Sequence, residues 1–264
     1  MWWDDQFNLT QHGDAYERLW WPLLENHFPE WQQFWIHHIV PLTNRIDKSL
    51  KGKPEELFLR RDELIDKDVE RMVMAHYSVF YFLGRASVVI LTEPHLFPED
   101  AFIFLQTACE NALTLLTNFT IQLGPKLGVE DKYLSPMSDR YLSLASGKTV
   151  LENQYPFKQI KAYRNAFIHH PRMGRNPHLP WEFIPKYKEL GRSTSSWGYV
   201  QNLPEDGFEN ARDYLQKIRI DLLVKLNGVW KQVRVALDSV RKSDRYLRCY
   251  GLDARGNILN GKPG

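Results

Sequence analysis

Cysteine is scarce in this chain, with only Cys109 and Cys249 among 264 residues. Two thiols so far apart fit neither a disulfide scaffold nor a cysteine-rich zinc site, and they are typical of the reducing cytosol. The sequence also lacks a Gly-rich phosphate loop and any set of His, Asp and Glu at metal-ligand spacing. His37-His38 has no third ligand nearby. We therefore expect no cofactor and no metal.

A secretory signal is missing as well, since MWWDDQF has acidic residues where a signal peptide has basic ones. Two apolar stretches, 68–91 and 98–123, raise the alternative of a membrane hairpin. Arg85 and Glu110 would then lie near mid-membrane at a cost of about 2.5–3.5 kcal/mol each. The mean hydropathy of −0.45 also favours a soluble chain. We predict a cytoplasmic protein whose apolar helices are buried in a bundle.

Acidic residues are absent from residue 153 to residue 181, although the net charge of the chain is only +2. This gap contains five cations and three histidines, namely Lys158, Lys161, Arg164, Arg172, Arg175, His169, His170 and His178. A nearly neutral chain is not a general nucleic-acid binder, so an anion site has to be local. The gap is where we expect phosphate to bind.

The middle of this gap predicts a helix from Phe157 to about His169, ended by Pro171. At about 100° per residue, one arc of roughly 140° collects the polar side chains Lys161, Arg164, Asn165 and His169. A separate apolar arc collects Ile160, Tyr163 and Phe167 and is expected to face the core. The last turn of a helix favours an imidazolium. An arginine and a histidine placed in this way could bind a phosphate and transfer a proton.

The pattern Arg164-Asn165-Ala-Phe-Ile-His169 resembles the signature of the HEPN superfamily, in which an arginine and a polar residue precede a histidine. The resemblance covers roughly residues 68–245 and implies an all-α HEPN-like bundle. It implies a metal-independent endoribonuclease that works as a homodimer, with the two motifs meeting across the interface. Arg164 would hold the scissile phosphate, His169 would act as general acid and base, and Asn165 would orient either group.

Other residues have supporting roles in this interpretation. His170 could take the role of His169, and Lys161, Arg172 and Arg175 would contact RNA phosphates. Glu110 is the only charged residue between Ala101 and Pro125. Because a carboxylate in an apolar helix needs a partner, it would either pair with Arg85 or support Arg164 and His169.

The expected partners are RNA, a second copy of the chain and, for a toxin or defence effector, a cognate antitoxin or regulatory protein; no membrane is expected. A different class of function is a non-catalytic HEPN-like scaffold or nucleotide-binding and dimerisation module. A third is a helical interaction protein in which the motif is accidental. The ribonuclease requires Arg164, Asn165 and His169 to line one solvent-reachable cleft, whereas a scaffold would bury or scatter them.

Three regions are predicted: an aromatic-rich helical N-terminal region (1–66), the HEPN-like bundle (67–245) and a tail (246–264) with a small hairpin. The first region has six of the nine tryptophans, which either pack onto the main body or form a partner-binding surface. The bundle helices are expected over 68–91, over 98–123 closed by Gly124-Pro125, around 138–145, in the motif, and from about 207 to 241. An irregular segment over 171–204 is expected to form a binding loop.

Overall fold

The computed structural model describes residues 24, 26–39, 65–91, 98–143, 148–161, 164, 211–253 and 255. The named elements of this part are α1 (Pro29–Phe34), a π-helical turn (Trp35–Ile39), α2 (Lys67–Leu91), α3 (Pro98–Asn118), a second π-helical turn (Phe119–Leu123), α4 (Gly124–Leu127), α5 (Asp131–Tyr141), β1 (Leu142–Ser143), β2 (Lys148–Thr149), a 3₁₀ turn (Val150–Asn153), α6 (Ala211–Val240) and α7 (Asp244–Cys249). Residues 157–161 are also helical. Strands β1 and β2 are two residues each and pair antiparallel. The predicted all-α class is confirmed.

Helices α2 and α3 pack against each other as an antiparallel pair. The side-chain amide of Asn118, at the end of α3, donates to the carbonyl oxygen of Asp68, at the start of α2 (2.9 Å). Towards the other end of the pair, the guanidinium of Arg85 lies 5.4 Å from the ring centre of Phe104. Both helices lie where their apolar, weakly charged sequences predicted them.

Helix α2 is the one described helix that is long and apolar enough to cross a membrane. In the fold, 67% of its most apolar stretch of 18 residues is buried. Such burial is typical of a core helix of a soluble protein.

The end of α3 differs from the prediction, because Gly124 and Pro125 do not stop the chain from remaining helical. The π-helical turn leads directly into α4, and Pro125 lies in the first turn of α4. Proline has no backbone N–H group, but the first turn of a helix does not use one for its internal hydrogen bonds. The helix ends at Gly128, whose φ of 78° is left-handed. The amides of Gly128 and Val129 donate to the carbonyls of Pro125 (3.0 Å) and Gly124 (2.9 Å), which closes the helix.

Helix α5 also differs from its prediction, since it spans Asp131–Tyr141 rather than the region around 138–145. Pro136 lies inside this helix. Leu134, Met137 and Tyr141 are its buried apolar residues. They recur at three and four residues, the spacing that puts side chains on one side of a helix, and the helix therefore spans this stretch.

Helix α6 is buried along one side, as its periodicity predicted. Core positions recur every three or four residues, each at most 1% exposed, at Leu215, Ile218, Leu222, Leu226, Val229, Val233 and Leu237. Arg219, a charged residue, is buried on the same helix and is 2% exposed. It donates to Ser87 Oγ on α2 (3.2 Å) and to Gln216 Oε1 (2.9 Å). Burial lowers its pKa to about 10, so it remains charged at neutral pH.

The described part of the N-terminal region belongs to the same core as the bundle. Trp31 and Phe34 of α1 are 1% and 0% exposed. The Trp31 ring stacks on Phe80 of α2 at 4.4 Å between centroids, and Phe28 contacts Trp230 of α6 at 5.5 Å. Pro29 begins α1. Proline is common at the first helical position, because the backbone N–H group that it lacks would have no partner there.

The C-terminal boundary predicted between residues 245 and 246 falls inside helix α7. The hydroxyl of Ser243 caps this helix by accepting from the amide of Tyr246 (3.1 Å). Tyr246, Tyr250 and Leu252 are buried, so these residues belong to the folded body rather than to a tail. Most of the hairpin predicted near residues 253–257 lies outside the described residues.

Candidate functional site

The helix that carries the Arg-Asn-His motif begins where it was predicted to begin. Residues 157–161 are helical, and the amide of Ile160 donates to the carbonyl oxygen of Pro156 (3.1 Å) in its first turn. Phe157 and Ile160 are 2% and 0% exposed. These two side chains anchor the start of the motif helix in the bundle.

A second anchor lies just before this helix. The hydroxyl of Tyr155 donates to the carboxylate of Asp221 on α6. Partial burial, with a smaller effect of the hydrogen bond to this carboxylate, raises the pKa of Tyr155. The hydroxyl therefore remains a donor at neutral pH and ties the motif helix to the longest helix of the bundle.

Arg164 is helical and half-buried. On a continuous helix of about 100° per residue, it lies about 20° from Phe157 and about 40° from Ile160. The prediction separated Arg164 from the apolar arc, but the burial of Phe157 shows that the core-facing arc is wider than expected. Arg164 therefore lies towards the edge of the core rather than on a fully solvated face.

The lysines of the motif helix are solvated. Lys158 and Lys161 are exposed. The ammonium of Lys161 is 3.9 Å from a carboxylate oxygen of Glu152, with both side chains well solvated. Such a pair contributes little, because water screens it. Lys161 can therefore exchange this carboxylate for a phosphate at small cost.

Glu110 lies on a solvent-facing side of α3, and its predicted support of Arg164 and His169 stays a prediction, because His169 lies outside the described residues. Its side chain is exposed, and its carboxylate accepts a hydrogen bond from Gln106 Nε2 one turn earlier on α3 (2.9 Å). The expected pair with Arg85 is not formed, since Arg85 packs over Phe104 instead. Because α3 leaves one side to solvent, this carboxylate needs no buried partner.

The remaining predicted site residues lie outside the described residues. They are Asn165, His169, His170, Arg172 and Arg175. The cleft that Arg164 would share with Asn165 and His169 therefore stays a prediction.

A buried hydrogen-bonded chain that the sequence did not reveal crosses the other end of the bundle. His38 Nε2 lies 3.2 Å from Asp238 Oδ1 of α6, and His38 Nδ1 lies 2.9 Å from the hydroxyl of Tyr246 of α7. Since a carboxylate only accepts, Nε2 carries the proton while Nδ1 accepts from the tyrosine. Asp238 also accepts from Arg234, which in turn donates to Glu30.

Electrostatics keep this chain in one protonation state at neutral pH. Burial lowers the pKa of His38, although the hydrogen bond to Asp238 opposes the change. The hydrogen bond from His38 lowers the pKa of Asp238. His38 is 1% exposed and Tyr246 is 5% exposed, so no substrate reaches these atoms. We therefore assign a structural role to these hydrogen bonds, which hold α1, α6 and α7 together. The doublet His37-His38 was the sole sequence signal, because the partners of His38 are about 200 residues away.

His76 is a second buried histidine, in an aromatic cluster. Trp230 Nε1 donates to His76 Nδ1 (2.6 Å), and the imidazole stacks on Trp31 at 4.8 Å between centroids. Complete burial lowers the pKa of His76 well below its usual value. The ring is therefore neutral and serves as a hydrogen-bond acceptor within the core.

Within the described ranges, no three His, Cys, Asp or Glu side chains are grouped as metal ligands. The two cysteines are free thiols, Cys109 buried and Cys249 half-buried. Comparison of the chain with known proteins found no matching family model, no similar curated protein and no similar solved structure.

Proposed function

We propose that this protein is a metal-independent endoribonuclease of the HEPN type that acts as a homodimer. Arg164, Asn165 and His169 are the proposed catalytic residues. The observation that carries the proposal is the position of the motif. Its arginine is helical and half-buried at the edge of an all-α bundle, on a helix whose exposed side carries Lys158 and Lys161.

The proposed reaction uses the nucleophile of the RNA itself. The ribose 2′-hydroxyl attacks the adjacent phosphorus and gives its proton to a neutral His169. The bond from phosphorus to the 5′-oxygen breaks, and this oxygen takes a proton from the imidazolium of the second motif in the dimer. The products are a 2′,3′-cyclic phosphate and a 5′-hydroxyl.

Charge stabilisation in this reaction is assigned to Arg164. Negative charge grows on the phosphate oxygens in the transition state, and a guanidinium donates two parallel hydrogen bonds to such oxygens. A half-buried arginine is held more firmly than a solvated one, so less side-chain entropy is lost when the phosphate binds. Lys161 and the cations at 172 and 175 would hold flanking phosphates.

A non-catalytic HEPN-like scaffold is the second candidate, and one observation favours it. On a continuous helix Arg164 points in nearly the same direction as the buried Phe157. A side chain in this position could stabilise the bundle rather than bind RNA. The two candidates predict different results when the guanidinium of Arg164 is removed and the fold stays intact. The ribonuclease loses RNA cleavage, whereas the scaffold has no cleavage to lose.

The test is cleavage of a labelled RNA mixture by the purified protein in excess EDTA. We expect cleavage by the wild type with cyclic-phosphate ends. We expect His169→Ala to lower the rate by about 10²–10⁴-fold, the usual contribution of a general acid–base group. Arg164→Lys, which keeps the charge but not the two parallel donors, should also lower it strongly.

Lys242→Ala is the control, because Lys242 is exposed, follows α6 and lies outside the stretch in which phosphate is expected to bind. It should cleave like the wild type, and circular dichroism should show that all variants are folded. Equal cleavage by wild type, His169→Ala and Arg164→Lys would indicate a contaminating nuclease. Absence of cleavage by a folded wild type over a broad RNA mixture would favour the scaffold.

A further inference from the structure

A groove of about 570 Å³ runs between α5 and α6, away from the buried side of either helix. We call it the α5–α6 groove. Its α6 wall is formed by residues one helical turn apart, including Val224, Gly228 and Val235. Its α5 wall includes Tyr133 and Pro136.

The floor of the groove is apolar and open to solvent. Val224 is 61% exposed and Val235 is 39% exposed, which is unusual for large apolar side chains on an otherwise well-packed helix. A β-carbon at Gly228, which lies between them, would meet no atom within 4 Å. From Val224 to Val235 the floor is about 17 Å long, the length of a helix of about 11 residues.

The rim of the groove is basic. Lys132, Arg140, Lys225 and Lys231 line it, and none of the lining residues is acidic. Lys132 is paired with Glu130 (2.8 Å), and Arg140 lies over the ring of Tyr141. The structure gives Lys225 and Lys231 no carboxylate partner among the described residues. A partner that covers the floor would therefore bring the positive charges of Arg140, Lys225 and Lys231 into the interface without a carboxylate to compensate them.

This charge pattern selects the occupant. A second copy of the chain docked face to face would place like charges opposite each other, which opposes association. A nucleic acid would satisfy the charges, but the floor at Val224, Gly228 and Val235 has no aromatic ring on which a base could stack. The rings of the two tyrosines that line the groove are covered by Lys132 and Arg140. An amphipathic helix with an apolar stripe and acidic flanks satisfies both the floor and the rim.

We propose that the α5–α6 groove is a docking site for an amphipathic helix of another protein, with Asp or Glu on both sides of its apolar stripe. Its apolar side chains cover Val224, Gly228 and Val235. Its carboxylates pair with Arg140, Lys225 and Lys231. The inference does not depend on ribonuclease activity, since none of these residues belongs to the proposed catalytic motif.

The experiment measures binding of designed helical peptides to the full-length protein by fluorescence anisotropy at low salt. One peptide of about 16 residues has leucines at helical spacing with glutamates on both flanks, and its counterpart has lysines in place of the glutamates. We expect the acidic peptide to bind at least about tenfold more tightly than the basic one, given three or more unpaired cations on the rim. A single-stranded RNA of random sequence is titrated in parallel.

Variants locate the binding. Gly228→Leu adds a large apolar side chain to the floor of the groove, where a β-carbon has open space, and it should abolish binding of the acidic peptide. Lys225→Glu with Lys231→Glu should weaken binding about fivefold to tenfold. Lys242→Glu, an exposed change of the same kind outside the groove, should have no effect, and all variants should unfold at temperatures near that of the wild type.

Four results would overturn the proposal. The first is equal or tighter binding of the basic peptide, and the second is the absence of acidic-peptide binding below about 1 mM, an affinity too weak for a specific site. The third is binding of RNA that is lost in Gly228→Leu while the acidic peptide does not bind. The fourth is a wild type that is dimeric by sedimentation and becomes monomeric in Gly228→Leu, which would instead assign the groove to a second copy.

Discussion

His76 illustrates, at the scale of single residues, how a polar group can be part of a hydrophobic core. It is fully buried, and its imidazole accepts a hydrogen bond from Trp230 while stacking on Trp31. A protonated imidazole could not accept this bond and would place an uncompensated charge among aromatic rings. The fold therefore depends on His76 being neutral.

This dependence predicts loss of stability in mild acid. Burial lowers the pKa of His76 and His38 in the folded state, while the unfolded chain protonates both histidines near pH 6.5, their ordinary value. Below this pH the unfolded state binds more protons, so the free energy of unfolding decreases as the pH falls. The slope should approach about 1.4 kcal/mol per pH unit for each histidine, and urea unfolding between pH 8 and pH 5 measures it.

His76→Phe separates this effect from general acid sensitivity. The variant loses the acceptor of Trp230, at a cost of about 1–3 kcal/mol at pH 8, but one of the two buried titrating groups is gone. Its free energy of unfolding should therefore fall less steeply below pH 6.5 than that of the wild type. The same slope in both proteins would contradict the assignment to His76.

A second prediction at this scale concerns the N-terminal aromatic residues. Trp31→Ala removes a side chain that is 1% exposed and packed against α2 and α6, so we expect a loss of about 3–5 kcal/mol in the free energy of unfolding. Ile36→Ala is the control, because Ile36 is 45% exposed on the adjoining π-helical turn; it should cost less than about 0.5 kcal/mol. Chemical denaturation of both variants checks this, and similar small losses would mean that the N-terminal segment is peripheral.

Individual residues were also the hardest features to predict from sequence. Arg219 and Glu110 show why. Arg219 is buried beside Ser87 of α2, and Glu110 is exposed beside Gln106. Which side of a helix faces solvent depends on helices distant in the sequence, and composition alone does not contain this information. The His38–Asp238 contact is a further example, since it joins residues 200 positions apart.

At the scale of elements, long periodic segments were predictable and their ends were less so. Helices α2 and α6 lie where apolar spacing indicated, because that spacing directly determines which side is buried. The predicted stop at Gly124-Pro125 was wrong because both residues are compatible with a first helical turn. The actual stop at Gly128 depends on a left-handed φ that only the local packing reveals.

Gly124 and Gly228, which are both helical, predict opposite responses to the same substitution. Gly228→Ala should stabilise the protein by about 0.5–1 kcal/mol, because it improves helix propensity and its β-carbon meets nothing within 4 Å. Gly124→Ala should destabilise it, because a β-carbon there would lie 2.7 Å from Leu134 Cδ2 and 2.9 Å from the carbonyl oxygen of Phe119. Thermal unfolding of the pair is the measurement, and a stabilised Gly124→Ala would show that α4 and α5 pack less closely than described.

For the whole molecule, the all-α class was predicted from long apolar segments at helical spacing and from the HEPN resemblance. The candidate site could be predicted only in part. The sequence identified the start of the motif helix and the anchor Ile160, but it did not predict the burial of Phe157. It did not predict how far Arg164 turns towards the core, because this depends on the width of the surface against which the helix packs. A site completed by a second copy would also require an interface that one sequence does not define.

The proposed function of the whole molecule is RNA cleavage in which the ribose 2′-hydroxyl is the nucleophile. The most direct test is an RNA cleaved at a mapped position, compared with the same RNA carrying a single 2′-deoxy nucleotide on the 5′ side of that phosphate. We predict that the wild type cleaves the first in EDTA to a 2′,3′-cyclic phosphate and leaves the substituted position intact. Cleavage of both at the same rate would mean that water or another nucleophile attacks, and it would contradict the proposed function.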